Sequence, residues 1–182
     1  LSIAVDSAYD PTAEAGSALV RIGVTSREIA TEERQPANIT FVIDTSGSMD
    51  IRERLGLVQS SLALLVRSLR PDDQIAIITY GDEAHPLLAP TPVAEWPRIV
   101  DAIDALQPSG STNMEAGLFL GYESARQSFD PEALNVVVLA SDGVANQGVT
   151  DAEVLTDEIT QAGEEGIHLV TVGYGMGNYN DH

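Results

Sequence analysis

Residues 39–48 read Ile-Thr-Phe-Val-Ile-Asp-Thr-Ser-Gly-Ser, an apolar run that breaks at Asp44 into a turn carrying hydroxyls. Ile39 to Asp44 is apolar on both faces, as expected for the centre of a parallel sheet covered by helices on each side. At its end, Asp44, Ser46 and Ser48 stand at every second position. Side chains two apart share a face of extended chain, so a strand ending in a tight turn can aim all three oxygens at one point. Hard divalent cations prefer such ligands, and magnesium favours few charged donors and several exchangeable ones. The stretch therefore reads as a metal-dependent binding site.

The rest of the chain alternates strands with helices. Ala18 to Val24 is strand-like, after residues 1 to 17 that read as an extended lead-in with no site. Ile51, Leu55, Val58, Leu62, Leu65 and Leu69 recur at spacings of four and three, which predicts an amphipathic helix ending before Pro71, with Leu57 and Leu64 widening its buried face. Gln74 to Tyr80 is a second strand, and the three prolines of 81–92 suit a short edge strand and turns. Trp96, Ile99, Ile103 and Leu106 mark another helix. After the polar loop Ser109-Gly110-Ser111-Thr112-Asn113 comes a helix with Leu118, Tyr122 and Ala125 on one side. Leu134 to Ala140 is again fully apolar and again ends in an acid, Ser141-Asp142-Gly143. A helix near 151–165, opened by a Thr150–Glu153 capping box, and a strand at Ile167 to Gly173 complete the series. This rhythm predicts an α/β fold: an open, doubly wound, mostly parallel sheet flanked by helices, with one antiparallel edge strand.

Such sheets bind ligands at the carboxyl ends of strands, where the strand order reverses. In a 3-2-1-4-5 order, with the strand at 39–44 first and that at 134–140 fourth, Asp44 and Asp142 flank one crevice. An arginine or an apolar plug filling the gap between them would contradict the reading.

Composition removes most rival chemistries. The 182 residues include nine Lys plus Arg against 28 Asp plus Glu, a formal charge of −19. All nine positive residues are arginine, so no lysine serves as Schiff base, phosphate-loop cation or general base. An acidic surface repels phosphate backbones, which argues against nucleic acid as partner. With no cysteine, disulfides, zinc-thiolate sites and thiol nucleophiles are excluded. No apolar run approaches the ~20 residues that cross a bilayer, so no membrane insertion is expected. The start at Leu1 without a leader suggests an excised or processed fragment.

The motif D-x-S-x-S at Asp44, Ser46 and Ser48, followed by Thr112 in Ser-Gly-Ser-Thr-Asn and Asp142 in Ala-Ser-Asp-Gly, resembles the metal ion-dependent adhesion site of von Willebrand factor type A (VWA) domains. The likeness runs from about Pro36 to Gly175, and its wording is most similar to bacterial extracytoplasmic members, inter-alpha-trypsin inhibitor heavy chains and calcium-activated chloride channel regulators. It implies an amino-terminal extension over 1–35 with an extra strand, and a VWA domain over 36–182 in which the family's last helix and strand are missing. It also implies five metal-site residues, Asp44, Ser46, Ser48, Thr112 and Asp142. The ion would be Mg2+, with Mn2+ or Ca2+ as substitutes. An Asp or Glu carboxylate of a partner protein would complete the coordination, in an extracytoplasmic setting (periplasm, cell surface or secreted).

Each residue also has a plainer reading. Asp44 and the serines suit a turn bonded to its own backbone. Thr112 with Glu115 spells a capping box for the next helix, and Asp50 with Glu53 spells another. A calcium loop from Asp44 fails, because its glycine and bidentate glutamate positions hold Met49 and Leu55. Gly173-x-Gly175-x-Gly177 lacks the spacing of a dinucleotide turn. Asn38-Ile39-Thr40 is a glycosylation triplet at the start of a buried strand, where it is not used. The alternative functions are a magnesium-dependent phosphoester hydrolase and a metal-free scaffold. Hydrolysis is disfavoured by Ser46 standing where a second acid is wanted, by the missing lysine, and by the lack of a G-x-S-x-G elbow or a well-placed histidine.

Overall fold

Strand β3 (Ala37–Asp44) occupies the middle of the sheet: seven of its eight residues are buried, and its polar Asn38 and Asp44 side chains find hydrogen-bond partners there. The computed structural model describes residues 2–9, 18–25, 34–142 and 152–174. β3 pairs in parallel with β4 (Gln74–Tyr80) on one side and β6 (Leu134–Ser141) on the other. β7 (Ile167–Gly173) continues in parallel beyond β6, and β5 (Ala84–Pro92) runs antiparallel along the far side of β4. The order β5-β4-β3-β6-β7 is the expected 3-2-1-4-5, with the reversal between β3 and β6. Three prolines in β5 are tolerated because an edge strand need not donate on its outer side.

Alternation along β3 divides the core in two. Phe41 and Ile43 pack with Leu55, Val58 and Leu62 of α1 (Arg54–Ser68) and with Ile99 and Ile103 of α2 (Trp96–Asp104). Val42, on the opposite face, packs with Leu118, Tyr122 and Ala125 of α3 (Met114–Gln127), where Ala162 of α4 (Ala152–Glu164) also lies. Helices therefore cover both faces of the strand that carries Asp44. Asn38 is buried and donates its amide to the Ser128 carbonyl and Asn135 Oδ1, consistent with an unused glycosylation triplet.

Several side chains depart from the expected stripes. Leu57 and Leu64 are 58% and 67% exposed; the buried stripe of α1 runs through Leu55, Val58, Leu62 and Val66, and the two leucines fall off it. Trp96 is 59% exposed. As the first residue of α2, its side chain leans toward the helix start and past the last turn that could cover it. Asp50 does not cap α1. It lies inside a 3-10 helix, Gly47–Glu53, which links the D-x-S-x-S turn to α1.

Residues 1–34 and 35–182 form separate units. The first holds two strands where one was expected: β1 (Ser2–Tyr9) pairs antiparallel with β2 (Ala18–Thr25), from Ser2 opposite Thr25 to Tyr9 opposite Ala18. β1 carries few large apolar residues, Ile3, Val5 and Tyr9. Residues 143–151 and 175–182, which include Thr150 of the expected capping box and Gly175 and Gly177, lie outside the described residues.

Candidate metal centre at the strand tips

Register decides who meets whom at the carboxyl end of the sheet. Asp44 lies opposite Tyr80 of β4, and the pairing of Ile43 with Ala140 puts Ser141 on its other side. Asp44 is fully buried. Its Oδ1 accepts the Ser46 backbone N–H at 2.8 Å, which closes the turn, and its Oδ2 accepts the Ser141 hydroxyl at 3.0 Å. The turn brings Ser46 Oγ and Ser48 Oγ to 3.0 Å from each other. Met49, wholly buried and donating its N–H to the Ser46 carbonyl, anchors the chain as it leaves.

The loop that bears Thr112 is stitched onto this turn. Thr45 Oγ1 donates to the Tyr80 carbonyl at 2.9 Å and lies 3.0 Å from Ser109 Oγ, while Gly47 donates to the Gly110 carbonyl. Asn113 donates its N–H to the Gly81 carbonyl, and Asp82 Oδ1 accepts both the N–H and the hydroxyl of Ser111. Two glycines make the approach possible. Gly110 has φ +64°, and a Cβ there would lie 2.3 Å from the Asp82 carboxylate; one on Gly81 would lie 2.3 Å from the Ser109 carbonyl oxygen. Thr112 is buried in this loop. The expected Thr112–Glu115 capping box is replaced by an Asn113 cap, whose Oδ1 accepts the Ala116 N–H at 3.1 Å. Asparagine caps as well as threonine does, and one step along the chain shifts that duty away from Thr112.

Asp142 follows β6 and is buried. An arginine does reach it: Arg54 Nη1 donates to Asp142 Oδ2 and, at 3.3 Å, to the Ser48 carbonyl. This is the kind of arginine named above as evidence against the reading; among the described residues it has an ion pair with Asp142 and none with Asp44.

Burial pushes the Asp44 carboxyl up. The bonds from Ser46 and Ser141 pull it back down, and the neighbouring Asp142 carboxylate pushes it up again. Burial, with the Asp44 carboxylate adding to it, also raises the Tyr80 phenol. Its buried hydroxyl lies near Ser141 and Asp44, with no partner in hydrogen-bonding geometry among the described residues. Tyr80, Ser141 and Arg54 were not singled out from the sequence. Tyr80 and Ser141 each directly precede a strand-end glycine or acid, which was a usable signal.

These donors fit a hard divalent cation. Two acids and three hydroxyls supply oxygen only, and among the described residues no cluster of three or more acidic, histidine or cysteine side chains offers a more charged site. A cation would offset both the desolvated Asp44 and the like charge of Asp142.

The sequence profile of the von Willebrand factor type A domain matches residues 38–182. The chain belongs to this family. Among its relatives, the uncharacterized protein YfbK of Escherichia coli (strain K12) is 40% identical over 163 residues, 90% of this chain and 28% of YfbK. Inter-alpha-trypsin inhibitor heavy chain H2 of Mus musculus is 29% identical over 149 residues, 78% of this chain and 16% of that protein. The manganese-loaded TRAP protein of Plasmodium vivax has the same fold at TM-score 0.64, with 19% identity, over 79% of this chain and 59% of that one. The VWA chain thus spans about a quarter or less of the two relatives matched by sequence.

Proposed function

We propose that this VWA domain is a divalent-cation-dependent protein-binding module. Asp44, Ser46, Ser48, Thr112 and Asp142 would hold the ion, with residues 36–182 as the binding module and 1–35 as an extension of it. The observation that carries the reading is Asp44: a carboxylate fully buried at a strand tip, with the paired hydroxyls of Ser46 and Ser48 on its own turn and the buried Asp142 just past the end of the neighbouring strand β6. Burying a charge beside a like charge is costly unless a cation joins them.

The residues divide the work. Ser46 and Ser48 offer neutral oxygens for direct contact, while Asp44 and Asp142 bind directly or orient water. Ser141 holds the outer oxygen of Asp44. Asn113 caps α3, which leaves the Thr112 hydroxyl available to the site. A bound magnesium-class ion supplies an electrophilic position that a partner's Asp or Glu carboxylate completes. The charge of −19 opposes such a partner only weakly, because screening sets in beyond about 8 Å at physiological salt. The family's adhesion-type relatives support a binding role rather than an enzymatic one, and the likeness to extracytoplasmic members supports a location outside the cytoplasm.

Water-proton relaxation of the Mn2+-loaded protein tests the open position. Fast-exchanging water on the bound ion, displaced in a saturable way by a short aspartate-containing peptide and not by its asparagine counterpart, is the expected result. A bound ion with no exchangeable water, or displacement by neither peptide, would overturn the module's acid-capturing role.

A further inference from the structure

We infer that Arg54 is a built-in counter-cation that competes with the divalent ion for Asp142, so that metal binding and release of the guanidinium are one event. The inference rests on the metal-centre reading above and adds a control to it. Its carrier is the ion pair between Arg54 Nη1 and Asp142 Oδ2, whose side chains are 15% and 0% exposed, together with the second bond from the same nitrogen to the Ser48 carbonyl. A single guanidinium nitrogen thus spans two of the segments that would surround the ion.

The physical argument is one of substitution. Without a metal, Asp142 is a desolvated acid beside another acid, Asp44, and an unpaired buried charge is strongly destabilising. Arg54 supplies the missing positive charge. It does so from the junction where the 3-10 helix Gly47–Glu53 runs into α1. A divalent ion at the same carboxylate meets a like charge within a few bonds, and the two cannot both be accommodated without loss. Binding the ion therefore includes breaking the Arg54 pair, which weakens apparent affinity and stabilises the metal-free form. The Arg54 side chain is long and 15% exposed, which gives its head a path to solvent that does not require unfolding α1.

Calorimetric titration of the wild type, Arg54→Gln and Arg54→Lys with Mg2+, paired with thermal unfolding in chelator, tests this. Arg54→Gln is expected to bind Mg2+ about tenfold more tightly, since the competitor is gone while the stem is kept. It is also expected to melt at a lower temperature in chelator and to gain more from saturating Mg2+ than the wild type. Arg54→Lys, which keeps a charge, should stay near wild-type affinity. Equal or weaker Mg2+ binding by Arg54→Gln overturns the competition while leaving the metal centre standing. Absence of Mg2+ binding in every form overturns the metal-centre reading, and this inference with it. Should Arg54→Gln fail to fold, the Arg54 Nε–Hε resonance of the wild type gives the answer. A shift in step with Mg2+ occupancy supports release, and an unmoved signal contradicts it.

Discussion

The Ser141 hydroxyl donates to Asp44 Oδ2 at 3.0 Å, across the boundary between β3 and β6 where the strand order reverses. That one bond ties the first acid of the site to the strand that delivers the second. Ser141→Ala removes a donor from a buried carboxylate, and the metal-free protein is expected to lose about 1–3 kcal/mol. Urea unfolding with and without Mg2+ measures it, with the smaller loss in Mg2+, where a cation takes over the neutralisation.

Asn113, not Thr112, caps α3. Asn113→Ala removes the cap of α3 and is expected to cost about 1 kcal/mol of stability. Thr112→Val keeps the shape without the hydroxyl. It is expected to leave stability in chelator within about 1 kcal/mol while lowering Mg2+ affinity. Denaturant melts alongside calorimetry distinguish the pair, and an α3 weakened by Thr112→Val would return Thr112 to a capping role.

Gly110 holds the left-handed conformation that lets the Thr112 loop lie against Asp82. Alanine there combines backbone strain of about 1–2 kcal/mol with displacement of the carboxylate that grips Ser111. Gly110→Ala should lower both the urea midpoint and Mg2+ affinity, whereas Gly163→Ala, with open space around its position, should do neither.

Acid should weaken the ion pairs that tie α3 to α4 and to the residue that follows it. Arg126 pairs with Glu158 and Glu165, and its hydrogen bond holds the Glu165 carboxyl below its ordinary value of 4.5, helped by Gln161. A carboxyl depressed by folding contributes stability that is present above 4.5 and lost as pH falls through the lower folded value. Unfolding free energy of the wild type should therefore decline with falling pH in that window. In Arg126→Gln the decline should be shallower, as measured by urea melts across the acid range.

How far the sequence led is clearest in β3. Ile39 to Ile43 carries no charged residue and ends at Asp44, which implied a central strand with helices on both faces and an acid at its tip; the family match and the strand order agree. Asp44 and Asp142 meet because of topology, which the rhythm of strands and helices encodes. What was not legible depended on partners far along the chain. Arg54 faces Asp142 across 88 positions, and Ser141 meets Asp44 across 97, distances over which no periodicity speaks. Leu57, Leu64 and Trp96 show a second limit: spacing identifies a helix well but overstates the width of its buried face. The strand β1 escaped because it carries few large apolar residues and, among the described residues, pairs with β2 alone.

The most direct measurement is anomalous scattering from crystals grown with Mn2+, repeated with Mg2+. The account predicts one strong peak bounded by Asp44, Ser46, Ser48, Thr112 and Asp142, with the Arg54 head withdrawn from Asp142. In the Mg2+ crystal, hydroxyl oxygens should lie at about 2.1 Å from the ion rather than the roughly 2.4 Å of calcium. A peak elsewhere on the molecule, or Arg54 still seated on Asp142 with no ion beside Asp44, would contradict it.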